Sequence, residues 1–120
     1  MVKYSELDTI LNDTGIPSSE YHIEDYDVQF ISIPSIAYAV INTTEIAADG
    51  ISYIKFLNVR IELLTNTIGF EEQKKVEKAL EKAELFYSKD VDFDESNKLF
   101  STIYDIPVLQ DDSSNWDKTF

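Results

Sequence analysis

Residues 35–64, SIAYAVINTTEIAADGISYIKFLNVRIELL, alternate apolar and polar positions on both sides of Asp49-Gly50. That dipeptide is a strong short-range hairpin signal, because both residues accept positive φ in a type I′ turn. A two-residue turn there makes paired residue numbers sum to 99. Ile36 then faces Leu63, Tyr38 faces Ile61, Val40 faces Val59 and Ile46 faces Tyr53 on one side of the pleat. Ala37–Glu62, Ala39–Arg60, Ile41–Asn58 and Thr43–Phe56 pair on the other. A slip of one residue turns every side chain over, so the segregation supports this register independently of the turn. Each arm is about twelve residues and ~40 Å long, twice the usual strand. A compact domain of this size has a radius of gyration of about 13–14 Å, so the tip is expected to project. Ile46, Tyr53, Ile54 and Phe56 near that tip are apolar groups that a single domain core does not reach, which predicts that another subunit covers them.

The flanking patterns supply the other elements. In YSELDTILNDTG, Leu7, Ile10 and Leu11 form a helical stripe, with Ser5 placed as N-cap, Gly15 as the left-handed residue past the end, and Pro17 preventing continuation. A short strand is expected around Tyr21–Ile23, followed by a loop ending at Pro34. After the ribbon, GFEEQKKVEKALEKAELF repeats Val76, Ala79, Leu80 and Ala83 at helical spacing, with Glu71 and Glu72 at its positive N-terminal end. LFYSKDVDF and KLFSTIYDIPV read as two strands joined by the polar turn DESN. Pro107 predicts that regular structure stops near Val108. The fold class expected is therefore α+β: an antiparallel sheet of four or five strands carrying a long β-hairpin, with one main helix on one face and a short N-terminal helix. Residues 1–108 form the single domain, and 109–120 an acidic flexible tail.

Composition narrows the function. At 120 residues the chain can bury a core without a staple, and it has no cysteine, which removes thiolate metal sites, thiol catalysis and disulfides. The N-terminus MVKYSELDTI lacks the pattern of a signal peptide, and no apolar stretch approaches a membrane span. Ten basic against twenty-three acidic side chains give a formal charge of −13, which repels phosphate and anionic lipid. The acids concentrate in EYHIEDYD, KDVDFDES and QDDSSNWDKTF, and the basic residues on the main helix.

Two candidate chemical sites fail on inspection. Asp90, Asp92 and Asp94 have the 1, 3, 5 spacing of a calcium loop, yet the sixth position is Glu95 instead of glycine and the twelfth is Ser101 instead of glutamate. The alternation with Val91 and Phe93 makes this a strand with acids on its outer face. His22 is the one histidine, and no HExxH, GxSxG or glycine-rich phosphate loop accompanies it. It is expected to sit beside the sheet, and no enzyme activity, cofactor or metal is expected.

The segments YSELDTILNDTGIPSSEYHIED, IAYAVINTTEIAADGISYIKFLNVRIELLTNT, EEQKKVEKALEKAELFYSKD and KLFSTIYDIPV, in that order, resemble the tail terminator, or tail completion, proteins of long-tailed bacteriophages and prophages of Gram-positive hosts. The resemblance covers about residues 4–108 and includes NVRIELLTN followed by a charged helix. It implies a structural virion protein located in the tail neck, assembled in the host cytoplasm. Such proteins form a ring, commonly a hexamer, that ends tube polymerisation and offers a docking face to the head connector. The implied partners are further copies of itself, the tail tube protein and the head-completion or connector protein, with DNA passing through unbound and no membrane contact. The interface residues expected are Ile46, Asp49, Tyr53, Ile54 and Phe56 on the ribbon, with Trp116 and Phe120 as tail anchors. Two other readings compete: a head-completion protein of the same neck, which attaches to heads instead of tails, and an acidic DNA mimic, which is monomeric or dimeric and binds a nucleic-acid-binding protein tightly.

Overall fold

The computed structural model describes residues 2–20, 33–48, 52–96 and 98–110, and only the backbone at 46–48 and 52–54. The strand expected at Tyr21–Ile23, His22, the Asp49-Gly50 turn, Trp116 and Phe120 lie outside the described residues. A 3-10 turn at Tyr4–Glu6 leads into α1 (Leu7–Asn12). It starts before Ser5: Lys3 is extended, its backbone N–H donates to the Glu6 carboxylate at 3.0 Å, and the Glu6 N–H donates to the Lys3 carbonyl at 3.0 Å. A glutamate three residues past the start thus takes the capping role, and Ser5 lies inside the turn instead of capping it. Gly15 has φ +77 and ends the helical segment as expected. Strand β1 (Ser18–Glu20) follows Pro17 directly.

The ribbon is β2 (Ser35–Ala48) and β3 (Ser52–Thr65). From Ile36↔Leu63 to Val40↔Val59 it keeps the predicted register. Between Val40 and Asn42 the register shifts, so that Asn42 pairs with Asn58, Thr44 with Phe56, Ile46 with Ile54 and Ala47 with Tyr53. The expected partners Ile41–Asn58, Thr43–Phe56 and Ile46–Tyr53 are therefore corrected, and the described ladder runs out to Ala48↔Ser52. The reason is polar matching. A strict ladder would set Asn42 opposite Leu57, which is buried in the core. The extra residue, Ile41, instead brings Asn42 to Asn58, whose Nδ2 donates to Asn42 Oδ1 at 2.5 Å and to Thr44 Oγ1 at 2.9 Å. It also sets Glu45 opposite Lys55, joined at 3.1 Å. One β-bulge costs a ladder position and removes an amide from the core.

Helix α2 (Phe70–Lys82) follows, entered through Gly69 at φ +69. Strands β4 (Ser88–Asp94) and β5 (Leu99–Leu109) complete a five-stranded sheet of order β1-β2-β3-β5-β4. All pairings are antiparallel except β1 with β2, which is parallel, so the sheet is mixed and not wholly antiparallel as expected. Both helices lie on the face carrying Leu57, Val59, Ile61 and Leu63 of β3 and Tyr104, Ile106 and Val108 of β5. Leu7, Leu11, Val76 and Leu80 close the core from above. Each fully buried aliphatic side chain contributes about 1.5–3 kcal/mol.

β5 runs through Pro107 and ends at Leu109, beside the expected stop near Val108. The Leu109 N–H donates to the Val2 carbonyl and the Gln110 N–H to the Lys55 carbonyl, so odd-numbered nitrogens of β5 point away from β3. Strand β4 begins only opposite Asp105, so the missing N–H of Pro107 falls where no strand asks for a donor. The radius of gyration is 15.2 Å and the extents are 50 × 30 × 21 Å. That exceeds the compact expectation because a fourteen-residue arm spans ~46 Å at 3.3 Å per residue.

Candidate assembly interface

The ribbon outruns its neighbours on both flanks. Strand β1 pairs β2 only at Ile36, Ala37 and Tyr38, and β5 follows β3 outward only as far as Phe56↔Leu109. Among the described residues, β2 from Ala39 to Ala48 thus has one partner strand, and the last residues of both arms form a two-stranded projection. Alternation fixes which donors are free. The Ile36 N–H donates to the Pro17 carbonyl, so those of Ile36, Tyr38 and Val40 face the β1 side. Beyond the bulge the phase changes, and Thr43 and Glu45 turn their N–H groups to the open edge while Asn42 and Thr44 bond β3.

The opposite edge is built differently. In β4 the N–H groups of Val91 and Phe93 point away from β5, and the preceding side chains take them. Asp90 Oδ1 accepts from Val91 N at 3.1 Å and Asp92 Oδ1 from Phe93 N at 2.9 Å. The DVDFD alternation that imitates a calcium loop therefore closes a sheet edge against another strand. Asp94 continues the pattern into the turn by accepting the Ser96 N–H at 3.0 Å. The alternation alone places these acids on an outer face. It does not reveal that they act on their own backbone.

A polar cluster locks α2 to the sheet beneath. The Tyr104 hydroxyl donates to Glu77 Oε2 at 2.8 Å, Lys89 Nζ lies 2.6 Å from the same oxygen, and the Tyr87 and Tyr104 rings meet edge-on with centroids 5.4 Å apart. Burial pushes the Glu77 carboxyl up, yet Lys89 and the tyrosine hydroxyls outweigh it and hold the carboxyl below its ordinary value. Burial and the adjacent Glu77 push the Tyr104 phenol far up. These contacts join α2 to β4 and β5.

Of the predicted interface residues, Ile46, Tyr53 and Ile54 are placed in backbone register on the projecting arms, and Phe56 is half-buried beside Leu109. Asp49, Trp116 and Phe120 lie outside the described residues. Among the described side chains, the exposed large apolar groups are Phe86 at 88% and Phe70 at 62%, with Ile68, Val91 and Phe93 following. Val91 and Phe93 sit on the helix side of the edge strand, and Phe93 stacks against Phe100 with centroids 4.8 Å apart. Period-two alternation through Leu85, Phe86 and Tyr87 marks Phe86 as outward, because Leu85 is buried and Tyr87 packs on the core.

No family model matches this chain, and no curated protein matches it. Among solved structures it is similar to a chain from the virion of a native gene transfer agent particle. The TM-score is 0.53 at 12% sequence identity, covering 88% of this chain and 90% of that one. At that identity the likeness is one of fold, and it extends over nearly the whole of both chains.

Proposed function

We propose that this protein is a structural component of a phage-like virion, and within it a tail terminator. In this reading it forms a ring, a hexamer, at the head-proximal end of the tail tube. The ring stops tube polymerisation and presents a docking face to the head connector. It acts by assembly and not by catalysis. The observation that carries the reading is the β2 edge from Ala39 onward, which no strand among the described residues pairs, on a ribbon that projects past its own sheet. Such an edge takes a strand or loop of a neighbour by backbone hydrogen bonding, and a head-to-tail contact of that kind closes into a ring. The shared fold with a gene transfer agent virion chain supports the same class. A net charge of −13 fits a bore through which DNA moves without being held.

The test is negative-stain imaging of tails assembled with and without the protein. Tubes of uncontrolled length in its absence support the terminator role. Tails of normal length that fail to join heads identify a head-completion protein instead. A tight complex of the monomer with a nucleic-acid-binding protein, and no effect on tails, identifies a DNA mimic.

A further inference from the structure

We propose that the groove between α1 and α2 is the docking site of the chain's own residues 111–120. The groove is open and about 720 Å³ in volume. Lys75, Lys78 and Lys82 line one wall, all exposed, and Ile10, Ala79 and Ala83 make a shallow apolar floor. The lysines recur along one helical stripe over ~10 Å at 1.5 Å per residue. Among the described residues no carboxylate is in ion-pair contact with any of the three. In a chain with ten basic residues and a charge of −13, three bare lysines side by side are an outlier.

The occupant is set by where β5 ends and by the residues beyond that end. The Leu109 N–H donates to the Val2 carbonyl at 2.8 Å, and Val2 itself lines the groove. Gln110 follows directly, its N–H donating to the Lys55 carbonyl at 3.3 Å. The next residues, DDSSNWDKTF, carry three aspartates against one lysine and two large aromatic groups, Trp116 and Phe120. Ten residues reach ~33 Å when extended, more than the ~20 Å length of α2. The small side chains of Ala79 and Ala83 leave room for an aromatic ring over the floor. Glu6 and Asp13 stand on the α1 side, so the aspartates are directed to the lysine wall of α2. Tethering makes the contact intramolecular, with a high effective concentration and no need for a second subunit.

Trp116 is the one tryptophan, so its fluorescence reports the contact directly. In the full chain its emission is expected to lie to the blue of a synthetic peptide of residues 109–120. Lys75→Glu with Lys78→Glu should move it red to the peptide position, as should raised salt. Asp112→Lys with Asp117→Lys should give the same red shift, and combining the two sets should restore the blue emission. Carbodiimide treatment should link the tail to α2 at the mass of one subunit. Wild-type emission equal to the peptide's overturns the proposal, as do charge reversals without effect, or cross-links found only at twice the subunit mass.

Discussion

The Asp92 carboxylate accepts the backbone N–H of its own neighbour, Phe93, at 2.9 Å, and Asp90 does the same for Val91. These two bonds occupy the outward donors of β4 and add negative charge along that edge. Asp90→Ala with Asp92→Ala should leave the fold intact and produce concentration-dependent self-association. Sedimentation velocity measures it. A double variant that stays monomeric at every concentration would show that the carboxylates do not guard the edge.

At the other edge, two adjacent threonines have opposite roles. Thr44 lies opposite Phe56 and its N–H serves the ladder to β3, whereas the Thr43 N–H faces outward. Thr44→Pro should cost about 3 kcal/mol in urea unfolding. Thr43→Pro should cost far less and abolish ring formation on tail tubes, because a proline on an open edge removes only the donor a neighbour would use. Normal rings from Thr43→Pro would detach assembly from this edge.

Arg60 and Asp105 are direct cross-strand partners of β3 and β5, with Nε–Oδ1 at 2.9 Å and Nη2–Oδ2 at 3.1 Å. Both are more than a third exposed, so the fork is screened by water. A double-mutant cycle to alanine should give a coupling of about 0.5–1 kcal/mol, the upper range for exposed pairs.

Glu77 gives the acid limb of stability a definite sign. Its folded pKa is lowered, so its contribution is complete above the ordinary value of 4.5 and disappears as pH falls through the lower folded value. Glu77→Gln should flatten the dependence of unfolding free energy on pH below about 5 and leave its slope near neutrality unchanged. At the alkaline end the sign reverses. Tyr38, pushed up to about 12 chiefly by burial, keeps its proton when the unfolded chain has lost it, so stability falls as pH rises above 10. Tyr38→Phe should reduce that fall.

Two glycines share a backbone conformation and differ in surroundings. A Cβ on Gly69 would lie 2.8 Å from Thr65 Cγ2, whereas one on Gly15 meets nothing within 4 Å. Gly15→Ala should cost the left-handed penalty alone, about 1–2 kcal/mol. Gly69→Ala should cost measurably more, and Thr65→Ser in that background should recover part of the difference.

The elements were legible where periodicity was long: the proximal ribbon from Ile36 to Val40, the Val76–Leu80 stripe, and the Asp90–Phe93 alternation. What escaped the sequence were choices between two acceptable local solutions. The register expected beyond Val40 was outweighed by the preference of Asn42 for Asn58 over Leu57. Ser5 was a good cap, but the helical segment starts after Lys3 and takes Ser5 inside it. The stop near Val108 was legible, but not why Pro107 is tolerated inside β5: β4 begins only at Ser88, opposite Asp105, a long-range fact that no local window contains. The interface expectation names ribbon residues, whereas the most exposed large apolar side chains among the described residues are Phe70 and Phe86, which the periodicity did not single out.

The extra residue at Ile41 leaves the two halves of the ribbon with different parity. The inner half is clamped by β1 and β5, β5 still holds β3 as far as Phe56, and past Glu45 and Lys55 the arms have no further partner strand among the described residues. Grafting a foreign hairpin beyond Glu45 and Lys55 therefore need match neither the length nor the phase of the original, and the domain below can serve as a fixed mount for exchangeable fingers.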